Sequence, residues 1–355
     1  VKQIEDEQTD AVCEEIERMV GVRRVYPLSF CIPESLVLNE PPTKRQSAGK
    51  GISRGRRQYA FDADQQRAYY EDYQQSYFGL TYKKGGWDCM RHLEVMANGC
   101  LPYFPGIADC PRYTMVHYPK ALMREIEATY ARAVELHGYD LSFDAERYRD
   151  ILTDYNEQVR RILDHVQREL TTTAMARYVL GKAGRPDAKR ILYLSHGRKP
   201  DYICDLLFHG LRSILGEGCI DAKKLWWMYD SADPARTGTL YGRGFTYSRH
   251  LPELEMDRGS IRGRLRKREF DLVVFGSINR CSDLLPTVRR YYDRDEVLLI
   301  DGEDQCKILG WSKKHNPPQR RWATARKLPA NQIVKQGIYF KRELDHAVLM
   351  AYNTV

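Results

Sequence analysis

Long apolar runs are missing from this chain. Its most apolar stretches, Leu272 to Ile278 and Val297 to Ile300, fall far short of the roughly 20 residues that span a bilayer, so no transmembrane segment is expected. No signal-peptide pattern opens it, and cytoplasmic localisation is the corresponding expectation. A disulfide framework is also missing: the nine cysteines are odd in number and scattered, which fits free thiols in a reducing compartment. There is no Walker A lysine loop, no Gly-x-Gly-x-x-Gly after a strand and no Gly-x-Ser-x-Gly elbow. Kinase, dehydrogenase and hydrolase chemistry lose ground accordingly. Internal repeats and low-complexity tracts are absent as well. The chain opens on Val1 rather than Met, which fits a piece processed or excised from a larger multidomain protein.

The 355 residues are enough for about two domains with a large core. A net charge of +8 favours anionic partners, but 48 acidic residues are interspersed among 56 basic ones. Nucleoside diphosphates satisfy that bias, and nucleic acid is not the expected partner. The one basic cluster without acids, Lys44 to Arg57, carries Gly and Ser and no apolar period, and reads as a solvated, mobile loop.

Two textures divide the chain near Gly181 to Lys189, a polar Gly/Pro segment of the kind that links domains. Before it, helical spacing runs over Ala121 to Leu136 and Leu141 to Leu170, with short strands near Phe78 to Tyr82 and Leu101 to Phe104. After it, strands at Ile191 to Leu194, Leu225 to Tyr229, Leu272 to Phe275 and Val297 to Ile300 alternate with helices at Tyr202 to Leu215, Ser260 to Arg268 and Ser282 to Tyr292. That alternation predicts an α/β fold with a parallel sheet covered by helices. Ligands of such sheets sit beyond the carboxyl ends of the strands. The residues there are Ser195, His196 and Gly197, Asp230, Gly276 to Arg280, and Asp301 to Asp304.

The run Tyr82 to Phe104 carries the strongest signal. Gly85-Gly86 lets the chain turn and bring backbone N–H groups to an anion, and Trp87 begins a helix whose N-terminal dipole favours negative charge. Arg91 and Glu94 share one helical face: the carboxylate can accept two ribose hydroxyls, the guanidinium can hold phosphate or base. An ordinary strand-turn-helix with an Arg–Glu ion pair satisfies the same spacing. Gly99-Cys100-Leu101-Pro102 ends the helix and starts a strand.

The segment Ser76 to Glu94, closing in Gly99 to Phe104, resembles the donor-domain motif of exostosin-like and related viral and bacterial glycosyltransferases of the GT-B type. Cys110-Pro111 and Tyr118-Pro119-Lys120 also fit, and Asp201-Tyr202, His209 to Arg212, Leu240 to Phe245, Phe270 to Ile278 and Leu299 to Asp304 look like the partner domain. The resemblance touches the chain from about Tyr26 to Leu344. It implies two Rossmann-like domains with parallel sheets facing a cleft: residues 43–180 as donor domain, 190–355 as acceptor-side domain, and 1–42 packing on the latter. It implies sugar transfer from a nucleoside diphosphate sugar to a glycan, glycoprotein or other hydroxyl acceptor, by a hexosyl- or pentosyltransferase with no obligatory metal or cofactor. Glu94 then contacts the ribose and Arg91 lies near the phosphates. The alternative is a non-catalytic nucleotide- or nucleic-acid-binding module derived from this fold.

Domain order departs from that pattern, because the donor-like motif comes first. Val25 to Pro33 and Gly337 to Leu344 look like pieces that adjoin in the usual order, as circular permutation or excision from a tandem protein explains. For the leaving diphosphate the candidate cations are Lys83, Lys84, Arg91, Lys341 and Arg342, with Gly85, Gly86 and Trp87 shaping the corner. For a base near the acceptor hydroxyl the candidates are Asp301, Glu303, Asp304 and His196. Exposed turn acids and a loop-capping histidine are the bland readings of these four. Asp301-Gly302-Glu303-Asp304 also fits an Asp-x-Asp metal motif, but the cations and helix dipole already neutralise a leaving group. Cys89, His92, Cys100, Cys110 and His117 lack the second Cys-x-x-Cys pair of a zinc site and read as core residues.

Overall fold

The computed structural model describes residues 11–19, 24–49, 61–138, 140–304 and 333–345. In chain order the strands are β1 (Val25–Pro27), β2 (Gln46–Ala48), β3 (Ser76–Leu80), β4 (Leu101–Tyr103), β5 (Val134–His137), β6 (Asp140–Phe143), β7 (Ile191–Leu194), β8 (Cys219–Asp221), β9 (Leu272–Phe275), β10 (Val297–Asp301) and β11 (Ile338–Lys341). Helix α1 occupies residues 11–19. The others are α2 (Gln66–Gln75), α3 (Met90–Ala97), α4 (Lys120–Tyr130), α5 (Tyr155–His165), α6 (Thr172–Lys182), α7 (Tyr202–Leu215), α8 (Pro234–Thr237), α9 (Ile261–Arg266) and α10 (Leu285–Tyr291).

Six strands form one parallel sheet in the order β1-β11-β10-β9-β7-β8, and β2-β3-β4 form a second, smaller parallel sheet. The fold is α/β. In the large sheet successive side chains enter two different cores: Leu272 and Val274 of β9 face one, Val273 and Phe275 the other. Both faces are therefore covered, and the strands read as unbroken apolar runs. Each such side chain contributes about 1.5–3 kcal/mol by leaving water.

The first of these cores does not stop at the large sheet. It continues through Phe78, Leu101, Tyr130 and Val159 of the smaller sheet and its helices, so the two halves share apolar packing. Nor does packing divide at residues 181–189. Helix α6 lies against α7 so closely that a Cβ on Gly210 would stand 1.9 Å from the Thr172 carbonyl oxygen. The N-terminal segment joins the large sheet: Val25 pairs with Tyr339 and Pro27 with Lys341, so the two pieces from opposite chain ends are neighbouring parallel strands.

Three expected elements differ. Leu225 to Tyr229 is not a strand; a 3₁₀ turn at Trp226–Met228 is held by the buried Leu225, and β8 lies upstream at Cys219–Asp221. The helix expected to Leu136 ends at Tyr130, because Val134–His137 pairs antiparallel with Asp140–Phe143. That hairpin also removes the start of the helix expected over 141–170, which begins properly at Tyr155. In the basic cluster, Lys44 is partly buried and donates to the carbonyl oxygens of Gln74 and Gly99 at 3.0 and 2.6 Å. Residues 50–57 of that cluster lie outside the described residues. Among the described residues no helix is long and apolar enough to cross a membrane.

Candidate functional site at the carboxyl ends of the parallel strands

Strand β10 carries Asp301 to the carboxyl end of the large sheet, fully buried. Its carboxylate accepts hydrogen bonds from Lys341 Nζ at 3.1 Å, Asn279 Nδ2 at 2.8 Å, Glu303 N at 3.1 Å and the Tyr339 hydroxyl. Lys341, on the neighbouring strand, is equally enclosed and also donates to the Glu303 carbonyl at 3.0 Å. Asp301 as base and Lys341 as phosphate cation therefore need correction: neither reaches solvent, and each neutralises the other. A lone buried charge costs several kcal/mol, so the pairing is what allows both to sit there.

The Gly85-Gly86 turn meets these strand ends directly. A Cβ on Gly85 would lie 2.6 Å from Asp304 Oδ2, and one on Gly86 only 2.3 Å from Glu343 Oε1. Close approach to carboxylates, not to a phosphate, is what these glycines permit here. The backbone N–H of Asp88 donates to Glu343 Oε1 at 2.9 Å, so the anion at the predicted diphosphate corner is a side chain of the protein itself. Arg342, expected to hold phosphate, is buried and spends its guanidinium on Gly302 O at 3.0 Å, Asp88 O at 2.7 Å, Glu343 Oε1 at 3.1 Å and Asp304. It also lies 4.5 Å from the Phe30 ring centroid. Asp88 accepts from Phe30 N and the Tyr118 hydroxyl, both at 2.7 Å. Burial, partly offset by Arg342, lifts its pKa to about 6.

Helix α3 is buried along its whole length, which moves Glu94 away from the role expected of it. Glu94 is 1% exposed; Oε2 accepts the Tyr69 hydroxyl and Oε1 the Thr246 hydroxyl, each at 2.6 Å. Burial raises its pKa, against those hydrogen bonds and the field of Arg91. In this conformation both ribose-binding oxygens are occupied by protein hydroxyls. Arg91 is also buried, its guanidinium 5.9 Å from the Tyr82 ring centroid. Trp87 is half-buried, stacked on Phe104, with Lys83 Nζ 5.0 Å above its ring. Lys83, Lys84 and Gly85 are the exposed members of the motif. Burial and the nearby Arg91 pull the Lys84 pKa down.

His92 donates from Nε2 to the Trp87 carbonyl at 2.8 Å and pairs through Nδ1 with Thr81. It is a core residue, and no group of three or more His, Cys, Asp or Glu that could hold a metal occurs among the described residues.

The segment that follows β7 contributes groups with unused capacity. Ser195 Oγ and His196 Nε2 are buried atoms without a hydrogen-bond partner. The backbone N–H of Arg198 donates to His196 Nδ1 at 3.0 Å, so the neutral ring carries its proton on Nε2. Burial lowers the His196 pKa and keeps the ring neutral. His196 is thus arranged as a hydrogen-bond donor, which corrects its expected role as a base. Arg280 bridges Asp201, the N-cap residue of α7, at 2.8 Å and Glu303, just past β10, at 3.4 Å. Glu303 is half-buried; Asp304 is exposed and tied to Arg342.

The structure therefore brings Gly85 against Asp304, Gly86 against Glu343, and Arg280 against Asp201 and Glu303 with His196 nearby, and encloses Asp301, Lys341, Arg342 and Glu94. Arg280, Tyr69 and Thr246 had no assigned role in the sequence; Tyr69-Tyr70 and Tyr73 at helical spacing were the available signal for a buried aromatic face there. A cavity of about 450 Å³ opens at the start of α4 between Arg112, Lys120 and Arg124, and none of the expected site residues lines it. The chain matches no family model, no curated protein and no solved structure.

Proposed function

We propose that the chain is a glycosyltransferase of GT-B-like architecture, moving a sugar from a nucleoside diphosphate donor to a glycan or other hydroxyl acceptor without an obligatory metal. One observation carries this reading: the Lys83 to Gly86 turn of the smaller sheet lies against the carboxyl ends of β10 and β11, where parallel sheets receive ligands. Lys83 and Lys84 supply the positive rim for the diphosphate, and the His196 Nε2–H and Ser195 hydroxyl donate to ligand oxygens. Glu303, the half-buried carboxylate at the rim, is the base for an acceptor hydroxyl in an inverting reaction. Ribose contact by Glu94 requires the Tyr69 and Thr246 hydroxyls to give way.

A second reading, a binding module without turnover, draws support from the engagement of all three expected carboxylate bases: Asp301 with Lys341, Glu303 with Arg280 and Asp304 with Arg342. Release of nucleoside diphosphate from a panel of nucleotide sugars, with and without oligosaccharide acceptors, separates the two. Transferase activity predicts turnover that Glu303→Gln lowers by roughly 10²-fold or more. Nucleotide binding without turnover leaves the binding module. Failure to bind any nucleotide ends both.

A further inference from the structure

Tyr241 is 75% exposed, and the only other exposed large hydrophobic among the described residues, Leu136, is half as open at 38%. Its loop is neither slack nor ordinary. Gly242, Arg243, Gly244, Thr246 and Arg249 all have positive φ, at 62°, 60°, 74°, 73° and 63°. For a β-branched residue such as Thr246 that conformation is strained, and it persists only where the surroundings over-determine it.

They do so here. The Thr246 hydroxyl is fixed between Glu94 and Tyr70, Arg249 N donates to Trp227 O at 2.9 Å, and the buried Tyr247 hydroxyl donates to the carbonyl of Tyr241 itself at 2.8 Å. Beneath the exposed ring lies Tyr202, centroids 5.7 Å apart, which is itself braced edge-on by Tyr247 at 5.2 Å. The backbone that carries this exposed ring is held in place, so much of the ordering cost of a contact there is already met. Tyr202 directly follows Asp201, the N-cap residue of α7, whose carboxylate pairs with Arg280.

We infer that Tyr241, backed by Tyr202, is a stacking platform for a sugar ring of the acceptor glycan, an inference that rests on the glycosyltransferase reading for the word acceptor but not for the binding itself. A pyranose offers an apolar C–H face to an aromatic ring and hydroxyls at its edge. The Asp201–Arg280 pair, next in sequence to Tyr202, suits those hydroxyls: the carboxylate accepts from them and the guanidinium donates to them. A nucleobase can use the same ring face and the same polar edge, so nucleoside diphosphates are measured separately.

Saturation-transfer NMR and calorimetry on the full chain, with a panel of hexose, N-acetylhexosamine and pentose oligosaccharides and separately with nucleoside diphosphates, test this. At least one oligosaccharide binds wild type, Tyr241→Ala weakens it about tenfold, Tyr241→Trp retains it, and nucleotide binding is unchanged in both. Oligosaccharide binding equal in wild type and Tyr241→Ala, or none from the panel, overturns the platform. So does loss of nucleotide rather than oligosaccharide binding in Tyr241→Ala. Tyr241-dependent oligosaccharide binding with no nucleotide binding keeps the platform and overturns the transferase reading instead.

Discussion

Glu94 accepts the hydroxyl hydrogen of Thr246 at 2.6 Å, although 152 residues separate them. The bond fastens helix α3 of the smaller sheet to the strained 240–249 loop, and both groups are buried. Thr246→Val keeps the branched shape and removes the hydroxyl, leaving Glu94 and Tyr70 short of a partner. Denaturant unfolding should show a loss of about 1–3 kcal/mol, with Thr246→Ser close to wild type.

Gly86 faces Glu343 with no room for a methyl group. Gly86→Ala places a Cβ 2.3 Å from an oxygen that is buried and held by Asp88 and Arg342. Overpacking of this kind should destabilise by roughly 1–3 kcal/mol. The double variant Gly86→Ala with Glu343→Ala should lose less than the sum of the two single losses, so the double-mutant cycle departs from additivity.

The Asp301–Lys341 pair makes a sharper contrast between one charge and none. Lys341→Met strands a fully buried carboxylate and should cost about 3–5 kcal/mol. Adding Asp301→Asn removes the stranded charge, and the unfolding free energy should rise back toward wild type. A double variant less stable than Lys341→Met alone contradicts the pairing.

Asp88 and His92 give opposite pH dependences. The Asp88 pKa rises from 3.8 in the unfolded chain to about 6 in the fold, so the native state keeps a proton that the unfolded state has lost between those values. Its contribution is therefore intact below about pH 3.8 and declines as pH rises to about 6. Relative to wild type, Asp88→Asn should gain stability across that window and run parallel above it. Burial drops the His92 pKa from 6.5 to about 3, so its contribution is lost as pH falls through that interval, and His92→Gln should flatten that acid limb. Melting temperatures between pH 3.5 and 7 measure both.

Much of the large sheet was legible because burial on both faces writes itself as unbroken apolar runs. Ile191–Leu194 and Leu272–Phe275 are strands with those bounds, and the helical period of Tyr202–Leu215 gives α7 its ends. Short elements were not. Cys219–Asp221 has three residues and an acid, while the apolar Leu225 to Tyr229 behind it forms a turn because Trp227 and Tyr229 anchor separately to Asp205 and Asp221. The hairpin at 134–143 hid inside a helical period.

At the site, the strand-end positions of Ser195, His196, Arg280 and Glu303 followed from topology alone. Their partners did not, since Asp301 meets Lys341 forty residues away and Glu343 meets Gly86 and Asp88 from the far end of the chain. Charge type is visible in sequence; whether a neighbour neutralises it is set by tertiary approach.

Whether the Lys83–Lys84 rim holds a diphosphate is decided by calorimetric titration of nucleoside diphosphates into the full chain. At least one nucleoside diphosphate should bind saturably, about tenfold or more weakly after Lys83→Ala with Lys84→Ala, and less tightly as salt rises, as a cationic rim requires. Absence of binding across the panel, or binding indifferent to both lysines, contradicts it.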